Sequence, residues 1–119
     1  MDMKTAVPAL AALAQSSRLA VFRWLVELGP DGACPGEIAD KLDIPAATLS
    51  FHLKSLQHAG LISADKQGRS IRYRADFAAM QSLVDFLTAN CCGGDPGKCA
   101  PRRARAPAGA LARARPRQA

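Results

Sequence analysis

Three cysteines near the C-terminal end carry the most distinctive chemistry of this 119-residue chain: Cys91 and Cys92 are adjacent, and Cys99 follows after Gly93-Gly94-Asp95-Pro96-Gly97-Lys98. In a regular helix adjacent side chains diverge by about 100°. At a fraying helix end they can converge, and the glycines and proline that follow let the chain turn so that Cys99 comes back. Three thiolates with no histidine nearby form a soft, all-sulfur, potentially trigonal site, which selects thiophilic ions over Mg, Ca or Mn. A closed tetrahedral zinc site asks for a fourth ligand, and none lies close in sequence. An incidental vicinal pair and a redox switch through a Cys92–Cys99 disulfide are the alternatives. Cys34 stands apart at a helix start, where a small buried or capping role is the plain reading.

A second constellation suits nucleic acid. Leu49, Leu53 and Leu56 recur at helical spacing between Pro45 and Gly60, which mark a helix start and a C-terminal cap. With that stripe turned inward, Ala47, Phe51, Lys54, Ser55 and His58 fall on the outer face, flanked by Thr48 and Ser50. Lys54 and the hydroxyls are phosphate or base-edge candidates. Phe51 is a large ring where water is expected; it could meet a dimer partner or the wing, but apolar contact with a thymine methyl is the sharper reading, shared with Ala46 or Ala47. His52 lies nearer the inner flank, where a hydrogen-bonded packing role is expected. Beyond the cap, Leu61-Ile62 and Ile71–Arg74 read as strands with Gln67-Gly68-Arg69 at the turn. Lys66, Arg69, Arg72 and Arg74 concentrate on this hairpin; its arginines would track phosphates, with Arg69 at the tip placed to enter a minor groove.

Several elements must position these groups. An Ala/Leu-rich helix over residues 5–15 is expected to turn Leu10, Leu13 and Ala14 inward. A second, capped by Ser16-Ser17, presents Leu19, Phe22, Trp24, Leu25, Val26 and Leu28. A third runs from Cys34-Pro35 to Leu42, with Glu37 able to reach back to its start. A last helix from Asp76 carries Phe77, Met80, Leu83, Val84 and Leu87 on one face. The fold class is mainly α with a β-hairpin wing: a winged helix-turn-helix. So small a core leaves apolar surface on the first and last helices, and a homodimer buries it.

The formal charge of +6 comes entirely from Arg102, Arg103, Arg105, Arg113, Arg115 and Arg117, because residues 1–100 hold ten Lys/Arg and ten Asp/Glu. From Pro101 the composition collapses to Ala, Arg, Pro and Gly, too poor in large apolar residues to offset ordering entropy, so residues 101–119 are expected to be a disordered tail, with a mobile polycation for DNA as the functional alternative. The first residues imitate a short secretory signal, but Pro8 interrupts the apolar run and Asp2 occupies the basic region. A cytoplasmic location with no membrane contact is expected, where thiols stay reduced.

Leu49-Ser50-Phe51-His52-Leu53-Lys54-Ser55-Leu56, Ala59-Gly60-Leu61-Ile62 and Gly68-Arg69-Ser70-Ile71-Arg72-Tyr73 together closely resemble the ArsR family of bacterial metalloregulators over roughly residues 6–90. The resemblance implies a homodimeric repressor, joined through its first and last helices, that occupies operator DNA and lets go on binding its inducer. It implies DNA contact at Ala46, Ala47, Ser50 and Phe51, with Ala and Phe where polar residues are common. Many arsenic sensors of the family carry Cys-Val-Cys on the third helix, where this chain has only Cys34; zinc sensors use Asp/His sets on the last helix, where this chain has Asp85 and no histidine. The Cys-Cys…Cys cluster resembles an arsenic-sensing branch with a relocated site, implying As(III) or Sb(III) on Cys91, Cys92 and Cys99. Residues 1–92 then form the DNA-binding and dimerisation domain, 93–100 the inducer-binding loop and 101–119 the tail.

Other outcomes stay open. Cys34 plus the cluster could make a four-sulfur site for Cd, Pb or Zn, and a redox or persulfide sensor has the same fold. A constitutive, non-sensing DNA-binding protein is the second class. No nucleophile, base and pocket constellation shows, so an enzyme is not expected.

Overall fold

The computed structural model describes residues 1–95 and 97–98, and its elements follow from local capping and periodicity. Helix α1 spans Met3–Leu13. It starts earlier than expected because Asp2 caps it: Thr5 N donates to Asp2 Oδ1 at 3.0 Å while Asp2 N donates to Thr5 Oγ1 at 3.2 Å. Its buried stripe is Ala6, Ala9 and Ala12. Of the expected Leu10, Leu13 and Ala14, only Leu13 packs against the core, and Leu10 is 41% exposed. Alanines let α1 lie close to its neighbours, which turns its larger side chains outward.

Helix α2 covers Ser16–Leu28, and its cap is Gln15 rather than the expected serines: Arg18 N donates to Gln15 Oε1 at 2.9 Å. Val21, Phe22 and Leu25 are buried, whereas Leu19 points out. A one-turn 3₁₀ segment, Gly29–Asp31, leads to α3 at Pro35–Leu42. Cys34 occupies the N-cap position and its N–H donates to Glu37 Oε1 at 2.8 Å, the reach-back that the sequence predicts.

The turn from α3 into α4 (Ala46–His58) takes three residues, with Asp43 in the left-handed region at φ 54°. Leu49, Leu53 and Leu56 are all buried, as their spacing predicts. The helix ends in a Schellman motif: Gly60 N donates to Gln57 O and Leu61 N to Leu56 O, both at 3.0 Å, with Gly60 at φ 80°.

Strands β1 (Ile62–Gln67) and β2 (Ser70–Ala75) pair antiparallel from Ile62↔Ala75 to Gln67↔Ser70, longer than expected. Gly68, at φ 62°, is the first central residue of a two-residue loop, where a positive φ matches the strand twist. Ala33 adds a third, single-residue rung: Ala33 N donates to Tyr73 O and Tyr73 N to Ala33 O, both at 2.8 Å. Gly32 makes this approach possible, since a Cβ there would meet the Tyr73 carbonyl oxygen at 2.1 Å.

Helix α5 spans Phe77–Thr88, with Asp76 Oδ1 accepting from Ala79 N at 2.9 Å. Leu83 is buried and Met80 and Phe86 pack against the core, but Phe77, Val84 and Leu87 of the expected face are exposed. The chain divides into one unit, Met1–Leu87, and a second that begins at Thr88. No described helix is long and apolar enough to cross a membrane. Cys99 and the tail at 101–119 lie outside the described residues.

Candidate nucleic-acid interface and thiol pair

The candidate nucleic-acid surface is built by α4. Because Leu49, Leu53 and Leu56 anchor one side, Ala46, Ala47, Thr48, Ser50, Phe51 and Lys54 all emerge exposed on the other. Phe51 is 66% exposed, the side chain that burial energetics would least place in water. It shares an open hollow with Lys54, Ser55, Gln57 and His58, so an apolar ring and a cation border the same space. Ala46 and Ser50 border a separate cleft of about 250 Å³ with Ile71 and Tyr73, which puts the N-terminal half of α4 beside strand β2.

The expected basic wing divides into two pairs. Lys66 and Arg69, at the turn end, are exposed and hold no ion pair among the described residues. Arg74 Nη2 pairs with Asp65 Oδ2 at 3.0 Å. Arg72 is turned toward the body of the domain: its Nη1 donates to Asp31 O at 3.0 Å and to Gly32 O at 3.2 Å, and its Nη2 lies 3.9 Å from Glu37 Oε1.

The adjacent cysteines belong to the second unit. Cys91 and Cys92 begin a short turn, Cys91–Gly94, preceded by Asn90 at φ 57° and containing Cys92 at φ 55°. These left-handed residues abolish helical divergence, and the two Sγ atoms lie 3.7 Å apart on exposed residues. Two sulfurs bound to one thiophilic centre at about 2.3 Å each lie no more than about 4.6 Å apart, so the pair fits a single ion. Among the described residues no three His, Cys, Asp or Glu side chains converge as a metal site, and Cys99, the expected third ligand, lies outside them.

Two long-range contacts carry little signal in the sequence, although His52 itself lies inward as its place on the helix predicts. His52 is 7% exposed, the buried polar residue of the described core, and its Nδ1 lies 3.5 Å from Arg18 Nη1. Burial first, and the Arg18 charge second, hold its imidazole pKa below the ordinary histidine value. Arg18 reads only as a cation early in a helix. The Ala33–Tyr73 rung is equally hidden, although Gly32 between two turn residues hints at close backbone approach.

Set beside known proteins, residues 13–63 match the helix-turn-helix domain family. The chain is similar to the uncharacterized HTH-type transcriptional regulator YbzH of Bacillus subtilis, 34% identical over 88 residues that cover 64% of this chain and 88% of YbzH. It is similar also to the HTH-type transcriptional repressor SmtB of Mycobacterium tuberculosis, 35% identical over 66% of this chain and 56% of SmtB. Among solved structures it resembles an ArsR-like transcriptional regulator from Rhodococcus sp., with a TM-score of 0.66 and 27% identity over 86% of this chain and 93% of that one.

Proposed function

Because this chain belongs to the ArsR/SmtB family of helix-turn-helix transcriptional regulators, we propose that it is a homodimeric, cytoplasmic repressor that leaves operator DNA when As(III) or Sb(III) is captured by Cys91, Cys92 and Cys99. The observation that carries the inducer is the 3.7 Å separation of the Cys91 and Cys92 sulfurs, which two left-handed residues bring to one side of the chain. Two thiolates so placed, joined by a third, suit a trivalent ion whose lone pair favours a pyramid of three sulfurs.

On the DNA side, Phe51 meets a thymine methyl, helped by Ala46 and Ala47, while Thr48, Ser50 and Lys54 address base edges or phosphates. Lys66 and Arg69 bring the wing to the backbone. The apolar surface of α1 and α5, including Leu10 and Leu87, is covered by a second copy of the chain. Two half-sites must lie about 34–36 Å apart, or a multiple, for both reading helices to dock. Cys91 follows the end of α5 by three residues, so capture of the ion alters the exit of a helix that joins the dimer. Moving a population from 99:1 to 1:99 takes about 5.5 kcal/mol of differential binding, within reach of chelation by three thiolates. By reciprocity, operator DNA weakens As(III) binding equally.

Operator release tests the proposal. Reduced protein bound to its own upstream DNA is titrated with As(III), Sb(III), Cd(II), Zn(II) and an oxidant, alongside Cys99→Ser and Cys34→Ser. Release by As(III) and Sb(III) only, lost in Cys99→Ser and kept in Cys34→Ser, is expected. Release by Cd(II) or oxidant instead would leave a repressor with a different inducer, and release by nothing would leave a constitutive DNA-binding protein.

A further inference from the structure

Besides the buried Ile62 and Ala75 at its base, the wing is clasped to the domain through strand β2. Strand β2 meets residues 31–34 through the paired 2.8 Å hydrogen bonds of Ala33 and Tyr73, while the neighbouring Arg72 spans the Asp31 and Gly32 carbonyls and reaches Glu37. Glu37 is itself oriented by the Cys34 N–H at 2.8 Å. Asp65 stands directly across the ladder from Arg72 but gives its carboxylate to Arg74. Arg72 is thereby left to grip the body of the domain.

We propose that Arg72 is a positioning residue for DNA binding: it sets the angle of the wing so that Lys66 and Arg69 reach phosphate, and it does not itself contact DNA. The proposal rests on the DNA-reading role of α4 and the wing. A guanidinium presents donors in a rigid fork, which suits two adjacent carbonyls and a carboxylate together; a lysine ammonium is a point charge and cannot span all three. At about 3.3 Å per residue the tip at Arg69 stands about 13 Å from the Tyr73 anchor. A tilt of about 10° there carries the tip through roughly 2 Å, enough to break a direct contact. A cation committed to this clasp acts at a distance, through the two cations beyond it.

The test uses the full chain and operator DNA over a range of salt. Arg72→Lys is expected to weaken binding roughly tenfold and to lower the slope of log affinity against log salt, because Lys66 and Arg69 lose phosphate. In a Lys66→Ala/Arg69→Ala background the same change is expected to cost almost nothing, since the groups it positions are gone. Amide exchange at Ala33 and Tyr73 should quicken in Arg72→Lys. Near wild-type affinity in Arg72→Lys, with Arg72→Met lowering the slope by about 0.9 even in the Lys66→Ala/Arg69→Ala background, would mean a direct phosphate contact and overturn the proposal. An equal loss in both backgrounds would overturn it in favour of a general structural role. Should the Arg72 variants fail to fold, Glu37→Gln, which still accepts from Cys34 N–H, is expected to show the same signature more weakly; unchanged affinity and exchange there would count against the clasp. A wild type that binds no DNA would remove the DNA reading and this role together. Unchanged amide exchange in Arg72→Lys, with DNA binding intact, would remove the clasp alone.

Discussion

Arg18 joins the end of α1 to the middle of α4: its Nε donates to Ala12 O at 2.7 Å, and its Nη1 lies 3.5 Å from His52 Nδ1. The Ala12 carbonyl is one of the groups that a helix end leaves without an intrahelical partner, and a cation there also complements the helix dipole. Arg18 is a permanent donor, so the contact favours the neutral imidazole that carries its proton on Nε2. The contact links a helix with an exposed apolar face to the helix that carries Phe51 and Lys54.

Arg18→Met keeps the aliphatic stem but strands both acceptors. A loss of about 1–3 kcal/mol is expected in denaturant unfolding. A midpoint within experimental error of wild type would show that water replaces the guanidinium without cost.

Acid should weaken the fold through His52. Its folded pKa is lowered, by burial first and by Arg18 second, so the unfolded chain binds a proton more readily. The contribution is complete above the unfolded value of about 6.5 and is lost as pH falls through that value toward the folded pKa. Unfolding midpoints measured between neutral pH and mildly acidic pH should fall for wild type, and His52→Gln should flatten that segment. An equally steep fall in His52→Gln would place the titration elsewhere.

Leu10 and Leu87 are 41% and 59% exposed in the single chain, so charging them should not disturb its core. Leu10→Lys and Leu87→Lys are each expected to shift sedimentation from dimer toward monomer with helical circular dichroism unchanged. A dimer that persists in the double variant would move the interface away from α1 and α5.

Phe51 and Lys54 should fail in different ways. Lys54→Ala is expected to weaken binding to all sequences and to lower the salt slope by about 0.9. Phe51→Ala should leave the slope alone and erode discrimination at one thymine by roughly 1–3 kcal/mol. Equal slopes for the two variants, with Phe51→Ala indifferent to sequence, would leave the ring a packing surface.

Much of this arrangement was legible because it is local. The Leu49, Leu53 and Leu56 period orients α4, Gly60 ends it, Gly68 marks the hairpin turn, and Cys34 with Glu37 opens α3; each depends on residues a few positions apart. The outer positions of α4 follow from the same period. The thiol pair was legible as chemistry, and the left-handed Asn90 and Cys92 supply the convergence that a fraying end was expected to allow.

The sequence by itself therefore determined the order of elements, the face of α4 that stays exposed and the thiol character of the pair, since these are set by short-range periodicity and side-chain type. Tertiary structure alone decided that alanines rather than leucines hold α1 to the core, that Arg72 grips residues 31 and 32, and that Arg18 meets His52. Those choices join residues 34 to 41 positions apart, or turn on how closely two backbones approach. No local pattern encodes such distances; they follow from which surfaces fill the core once the helices and the hairpin have closed on one another.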